Sequence, residues 1–118
     1  MLFRSDLIKE AASIVKGYSD FTSFSKRNTQ VENFHCKVIE SEWLIEHDRL
    51  IYRIKANRFL RGMVRALTAT MLLVGRNKID LPQLKLIIES KDCTRASFAV
   101  PPHGLFLVNV NYSEKIIL

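Results

Sequence analysis

Arginine stands at positions 58, 61 and 65, and Thr68 continues the same three- and four-residue step. On a helix such residues share one face. The run from Asn57 to Gly75 predicts that helix, with Asn57 as its cap and Gly75 as its terminator. Leu60, Met63, Val64, Leu67, Met71 and Val74 would form the apolar face. Arginines in a first turn meet the positive end of the helix dipole, and Arg61 and Arg65, four apart, repel by some tenths of a kcal/mol. No acid lies between positions 58 and 75 to relieve them. A helix that keeps both penalties suits a bound anion, a phosphate or a carboxylate held by helix-start amides and guanidinium forks. The competing reading is that carboxylates elsewhere in the fold pair these arginines.

Further cations fall on flanking elements. Alternation predicts one strand over 34–39, with Phe34, Cys36 and Val38 on one side and His35, Lys37 and Ile39 on the other. A second runs over 50–56, with Leu50, Tyr52, Ile54 and Ala56 opposed to Ile51, Arg53 and Lys55. Glu46–Arg49 reads as the turn of an antiparallel hairpin. Its reverse face would carry His35, Lys37, Arg53 and Lys55, either a one-sided basic sheet or an ordinary solvated face. Lys26 and Arg27 belong to a basic loop.

Around these, Ser5–Lys16 predicts an amphipathic helix capped by Ser5 or Asp6 and closed by a left-handed Gly17. Asp20–Ser25 reads as a strand edge, with Asp20 capping a turn. Asp80, Pro82 and Gln83 announce another helix through a capping box, with Leu84, Ile87 and Ile88 buried, and Lys91–Arg95 ends it in a polar loop. Pro101–Gly104 turns into a last strand from Leu105 to Tyr112. The order predicts a single α+β domain over residues 1–118, an antiparallel sheet with helices packed on one face.

Composition sets bounds on function. Eighteen Lys and Arg against twelve Asp and Glu give a net charge of +6, consistent with a polyanionic partner. The longest apolar stretch, Ala66–Val74, is too short for a membrane span, and no leader opens the sequence, so a cytoplasmic protein is expected. Cys36 and Cys93 lack ligand-spaced companions, and His47 and His103 are isolated, so free thiols and no metal are expected. No glycine-rich phosphate loop or nucleophile elbow occurs, and no motif activates Asp20 or Asp92.

Several segments resemble the tRNA pseudouridine synthase A family. Lys55–Arg65 is similar to its Ala-Asn-x-Phe-x-x-x-Met-Val-Arg signature, and Asp20–Phe24 to its Asp-Phe-Thr-Ser-Phe. Val74-Gly75 and Lys91-Asp92 fall where the family has Val-Gly and Lys-Asp, and Pro101–Tyr112 resembles its Gly-Leu-x-Leu-x-x-Val-x-Tyr close. The matches run in family order from about Ser5 to Tyr112.

The resemblance implies the C-terminal, ferredoxin-like half of an isomerase that converts uridine to pseudouridine in the tRNA anticodon stem-loop. It implies no metal or organic cofactor, a homodimer, and a cleft shared with an N-terminal half. That half carries the catalytic aspartate in an Arg-Thr-Asp motif, which this sequence lacks. The chain alone is therefore expected to bind tRNA and to be inactive. Arg65 matches the family arginine that pairs with the aspartate, and Leu105 a residue that walls the uracil pocket or packs in the core. RNA contacts are expected from Arg58, Arg61, Lys55, Arg53, Lys37, Lys26 and Arg27. Three departures stand out. Ala69 replaces a usual glycine, Val31–Phe34 replaces a segment that often holds an Arg-Thr pair, and Arg58 and Arg61 occupy variable positions. The alternative is a non-enzymatic basic α+β module for RNA binding or dimerisation.

Overall fold

The computed structural model describes residues 4–25, 34–46, 49–60, 62–97, 106–110 and 113–117. The first helix, α1 (Ser5–Lys16), buries Ile8, Ala11, Ala12 and Val15, as its periodicity requires. Its ends differ from expectation. Arg4 is the N-cap residue and no side chain caps the helix. The Asp6 carboxylate instead takes the Arg4 guanidinium at 2.9 and 3.1 Å, and the Arg4 N–H donates to the Gly75 carbonyl at 2.7 Å. Gly17 ends α1 at φ −80°, a right-handed turn that asks nothing special of glycine.

Asp20–Ser25 is not a strand edge. Residues Thr22–Phe24 form a 3-10 turn, and Asp20 makes only an isolated bridge to His35. Asp20 does cap the turn, accepting from the Thr22 N–H and hydroxyl. Phe21 and Phe24 are fully buried.

The hairpin exists, but its first strand lies later than alternation suggested. Strand β1 (Val38–Glu46) pairs antiparallel with β2 (Arg49–Ala56). The register slips between Val38 and Glu40, so Ile39 is a bulge. One extra residue reverses the parity of the rest of the strand. Cys36 and Val38 face the core before it, and Trp43 faces the core after it. A two-residue period read from Phe34 therefore breaks at Ile39 although the strand continues. Trp43 stacks on Tyr52 with ring centroids 4.9 Å apart, and its indole N–H points at the Met71 sulfur at 3.4 Å. The buried Tyr52 hydroxyl lies 2.8 Å from that of Ser41, and burial pushes the phenol well above its ordinary pKa.

The central helix, α2 (Met63–Gly75), starts five residues later than predicted. Asn57 is not its cap. The Asn57 side-chain oxygen accepts from the Lys37 N–H at 2.7 Å, and the Asn57 N–H donates to the Lys37 carbonyl at 3.0 Å. Asn57 thus closes the sheet end. Gly62, at φ 76°, then turns the chain left-handed, and the helix cannot extend back through that conformation. At the far end the left-handed residue is Asn77, at φ 63°, rather than Gly75. All six predicted core residues are buried, and so are Ala66, Thr68, Ala69, Thr70 and Leu72. Thr68 buries its hydroxyl by donating to the Val64 carbonyl at 2.7 Å.

Helix α3 (Leu81–Ser90) matches the predicted design, with Asp80 and Gln83 forming a reciprocal capping box and Leu84 and Ile88 buried. The chain closes with a hairpin in place of one strand: β3 (Phe106–Val110) and β4 (Ser113–Ile117). The Glu114-Lys115 pair interrupts the apolar pattern there, and backbone pairing with β2 recruits β4 regardless. The antiparallel sheet order is β1-β2-β4-β3. With α1 and α2 over the Trp43, Tyr52 and Ile54 face, the class is α+β, as expected.

Ser23, fully buried, ties the 3-10 turn to α3. Its hydroxyl donates to the Ile87 carbonyl at 2.6 Å and accepts from the Asp92 N–H at 3.2 Å. Ser23→Ala removes both bonds and leaves the Ile87 carbonyl and the Asp92 N–H with the Ser90 hydroxyl, so unfolding free energy should fall by about 0.5–1.5 kcal/mol in urea titrations.

Candidate nucleic-acid interface

The predicted arginine row does not form. Arg58 precedes Gly62 and α2, so it lies outside the helix, and Thr68 is buried. Arg61 lies outside the described residues, as do Lys26, Arg27, Leu105, His47 and His103. Arg65 is the member of the row that α2 does carry, in its first turn. Of the thirteen residues of α2 it is the only exposed one. No acid among the described residues lies within ion-pair distance of it. The reading in which a carboxylate of this chain neutralises Arg65 finds no support among them.

The reverse face of the sheet is mixed in charge rather than basic. Glu42 stands opposite Arg53 in the register and Glu40 opposite Lys55. The Arg53 guanidinium approaches the Glu42 carboxylate at 3.3 Å, with both side chains more than a third exposed. Such a surface pair contributes about 0.2–1 kcal/mol. The acids escaped the alternation argument because they lie beyond the bulge.

His35 and Lys37 are both exposed, on residues that run beside the end of α1. The Cys36 N–H donates to the Ser19 carbonyl at 2.8 Å, and the Phe21 N–H donates to the Phe34 carbonyl at 3.0 Å. Cys36 is a buried free thiol whose pKa burial raises, while the positive charge of Arg58 pulls it the other way. Arg58 therefore sits against the same junction. Cys93 is a free thiol too, and no cluster of metal-ligating side chains occurs among the described residues. No helix among them is long and apolar enough to cross a membrane.

Two segments singled out in the sequence meet in space. Lys91, left-handed at φ 54°, closes α3 and brings its ammonium to 3.5 Å from the Asp20 carboxylate. Asp92 accepts from the Thr94 N–H and hydroxyl at 2.9 and 2.6 Å, and Arg95 approaches it at 3.8 Å. Burial raises the Asp20 pKa, but the Thr22 hydroxyl and N–H, helped by Lys91, outweigh it and hold the carboxyl below its ordinary value. The contacts given for both acids among the described residues hold local turns and the junction of the 3-10 turn with α3.

Similarity to known proteins runs through the same segments. A family model described as tRNA pseudouridine synthase matches residues 11–113. The chain is 41% identical over 94% of its length to tRNA pseudouridine synthase A of Parabacteroides distasonis, covering 44% of that protein. It is 44% identical over 92% of its length to the Bacteroides fragilis protein of the same name, again covering 44%. The Syntrophomonas wolfei protein of that name is 40% identical over 92% of this chain. The chain thus spans less than half the length of these curated relatives.

The lowered Asp20 pKa sets a pH dependence. The carboxylate stabilises the fold fully above its ordinary value of 3.8, and that contribution is lost as pH falls through the lower folded value. Asp20→Asn should remove this acid-side loss, read as a flatter urea midpoint against pH below about pH 4.

Proposed function

Because the chain belongs to the tRNA pseudouridine synthase family, we propose that it is the C-terminal half of an isomerase acting on tRNA uridines. The observation that carries this reading is Arg65. A buried helix exposes one side chain, a guanidinium, in its first turn. A guanidinium there offers two parallel N–H donors to a carboxylate, a geometry lysine cannot copy. In this reading the carboxylate is an aspartate supplied from outside these 118 residues. Arg65 keeps it ionised and oriented while it performs the covalent chemistry on an extruded uridine of the anticodon stem-loop. Arg65 is then a positioning residue, since it acts through the aspartate.

In the same reading Leu105 helps wall the uracil pocket. The tRNA backbone is met by Arg58, Arg61, Lys37, Lys55, Arg53, Lys26 and Arg27, in a cytoplasmic homodimer that needs no cofactor. The net charge of +6 supports a polyanionic partner. Arg53 is the weakest of these contacts, because Glu42 competes for it.

Two outcomes are expected. Tritium release from uridine-labelled tRNA should stay at background with this chain alone, while the chain binds the same tRNA in a salt-sensitive manner. Release above background would overturn the half-enzyme reading. In the full-length enzyme Arg65→Lys should lower kcat by about tenfold or more, equivalent to about 1.4 kcal/mol of transition-state stabilisation. Because Arg65 is exposed, stability should change by less than about 0.5 kcal/mol. Unchanged turnover would remove Arg65 from the mechanism.

A further inference from the structure

A recess of about 530 Å³ lies where the end of α1 meets the residues entering β1. Its walls include Lys16, Tyr18, His35, Cys36, Lys37 and Asn57, and Arg65 is not among its lining residues. We infer that this recess is an accessory RNA site, taking one phosphodiester and its nucleoside apart from the position that Arg65 serves. The inference rests on the tRNA-modifying reading and adds to it a place where the backbone is held.

Three observations carry it. The first is size, since the volume falls within the range of about 300–1,000 Å³ typical of small-molecule pockets, large enough for one nucleotide. The second is charge. Lys16 and Lys37 come from separate segments, both are exposed, and no acid occurs among the described lining residues. A cation at position 16 is favoured by the negative end of α1, but Lys37 has no such helix end to account for it. Arg58 adds positive charge beside Cys36.

The third is donor chemistry. The Asn57 carbonyl oxygen is already taken by the Lys37 N–H at 2.7 Å, so the amide presents its NH₂ group, a donor suited to a phosphate oxygen. Tyr18 supplies aromatic surface for the nucleoside, its hydroxyl donating to Glu89 at 2.6 Å. Glu89 is the nearby carboxylate that opposes an anion, and it does not line the recess.

The test compares two charge-matched double variants of this chain binding an anticodon stem-loop RNA across a KCl series. Lys16→Ala/Lys37→Ala should weaken binding and reduce the slope of log K against log[salt] by about 1, the loss of one phosphate contact. Lys9→Ala/Lys85→Ala, removing exposed lysines outside the recess, should leave the slope near that of the parent. Equal slopes in the two variants, or an unchanged slope in the first, would overturn the recess while leaving the family reading intact. A parent chain whose RNA binding ignores salt would overturn both. Lysine acetylation of the unmodified chain, read by mass spectrometry, needs no variant to fold. RNA should protect Lys16 and Lys37 but not Lys9 or Lys85, and the reverse pattern would sink the proposal.

Discussion

Helix α2 is enclosed by α1, α3 and the 3-10 turn, with Met71 against Trp43 of the sheet, and this enclosure governs the rest of the molecule. A helix buried nearly all round cannot carry a charged stripe, because an unpaired guanidinium in an apolar interior would cost far more than any single core contact returns. The chain meets this constraint by delaying the helix. Asn57 closes the sheet against Lys37, Gly62 reverses the backbone, and Arg58 is left in the connecting segment. Arg65, one helical residue past Val64, is the single point where α2 reaches solvent with a charge.

The Asp20–Phe24 and Lys91-Asp92 segments are largely architectural. Asp20 holds the 3-10 turn, Phe21 and Phe24 fill the core, Ser23 bonds to the end of α3, and Lys91 returns to Asp20. Together they lock the 3-10 turn to the end of α3, an element far away in sequence. Against that scaffold Arg65 differs in kind. Its side chain is exposed, and no acid among the described residues lies within ion-pair distance of it. An exposed guanidinium on an otherwise buried helix suits a role directed outward.

The charge itself is distributed unevenly. Acids of β1 stand beside the bases of β2, so the open sheet face is not a simple cationic platform. Lys16 and Lys37, which pair with no acid among the described residues, instead meet where α1 ends and β1 begins, beside a concavity. In the proposed reading an RNA backbone would meet a discrete concave site there, in addition to any longer-range attraction from the net charge.

Local rules made much of this legible beforehand. The span of α1, the capping box of α3, the hairpin, the α2 core residues and the α+β class result from periodicity and capping chemistry, which act within a few residues. Arg65 stood out for its residue type, through the resemblance of its surroundings. Most of the features that periodicity misplaced have one common cause. The bulge at Ile39, the role of Asn57 and the recruitment of β4 each depend on a partner distant in sequence, whereas the late start of α2 follows from the left-handed turn at Gly62. A cap and a sheet clasp use the same asparagine oxygen, and a strand and its bulged form differ by one residue. Only the assembled fold, by placing Lys37 within 2.7 Å of Asn57, selects between them.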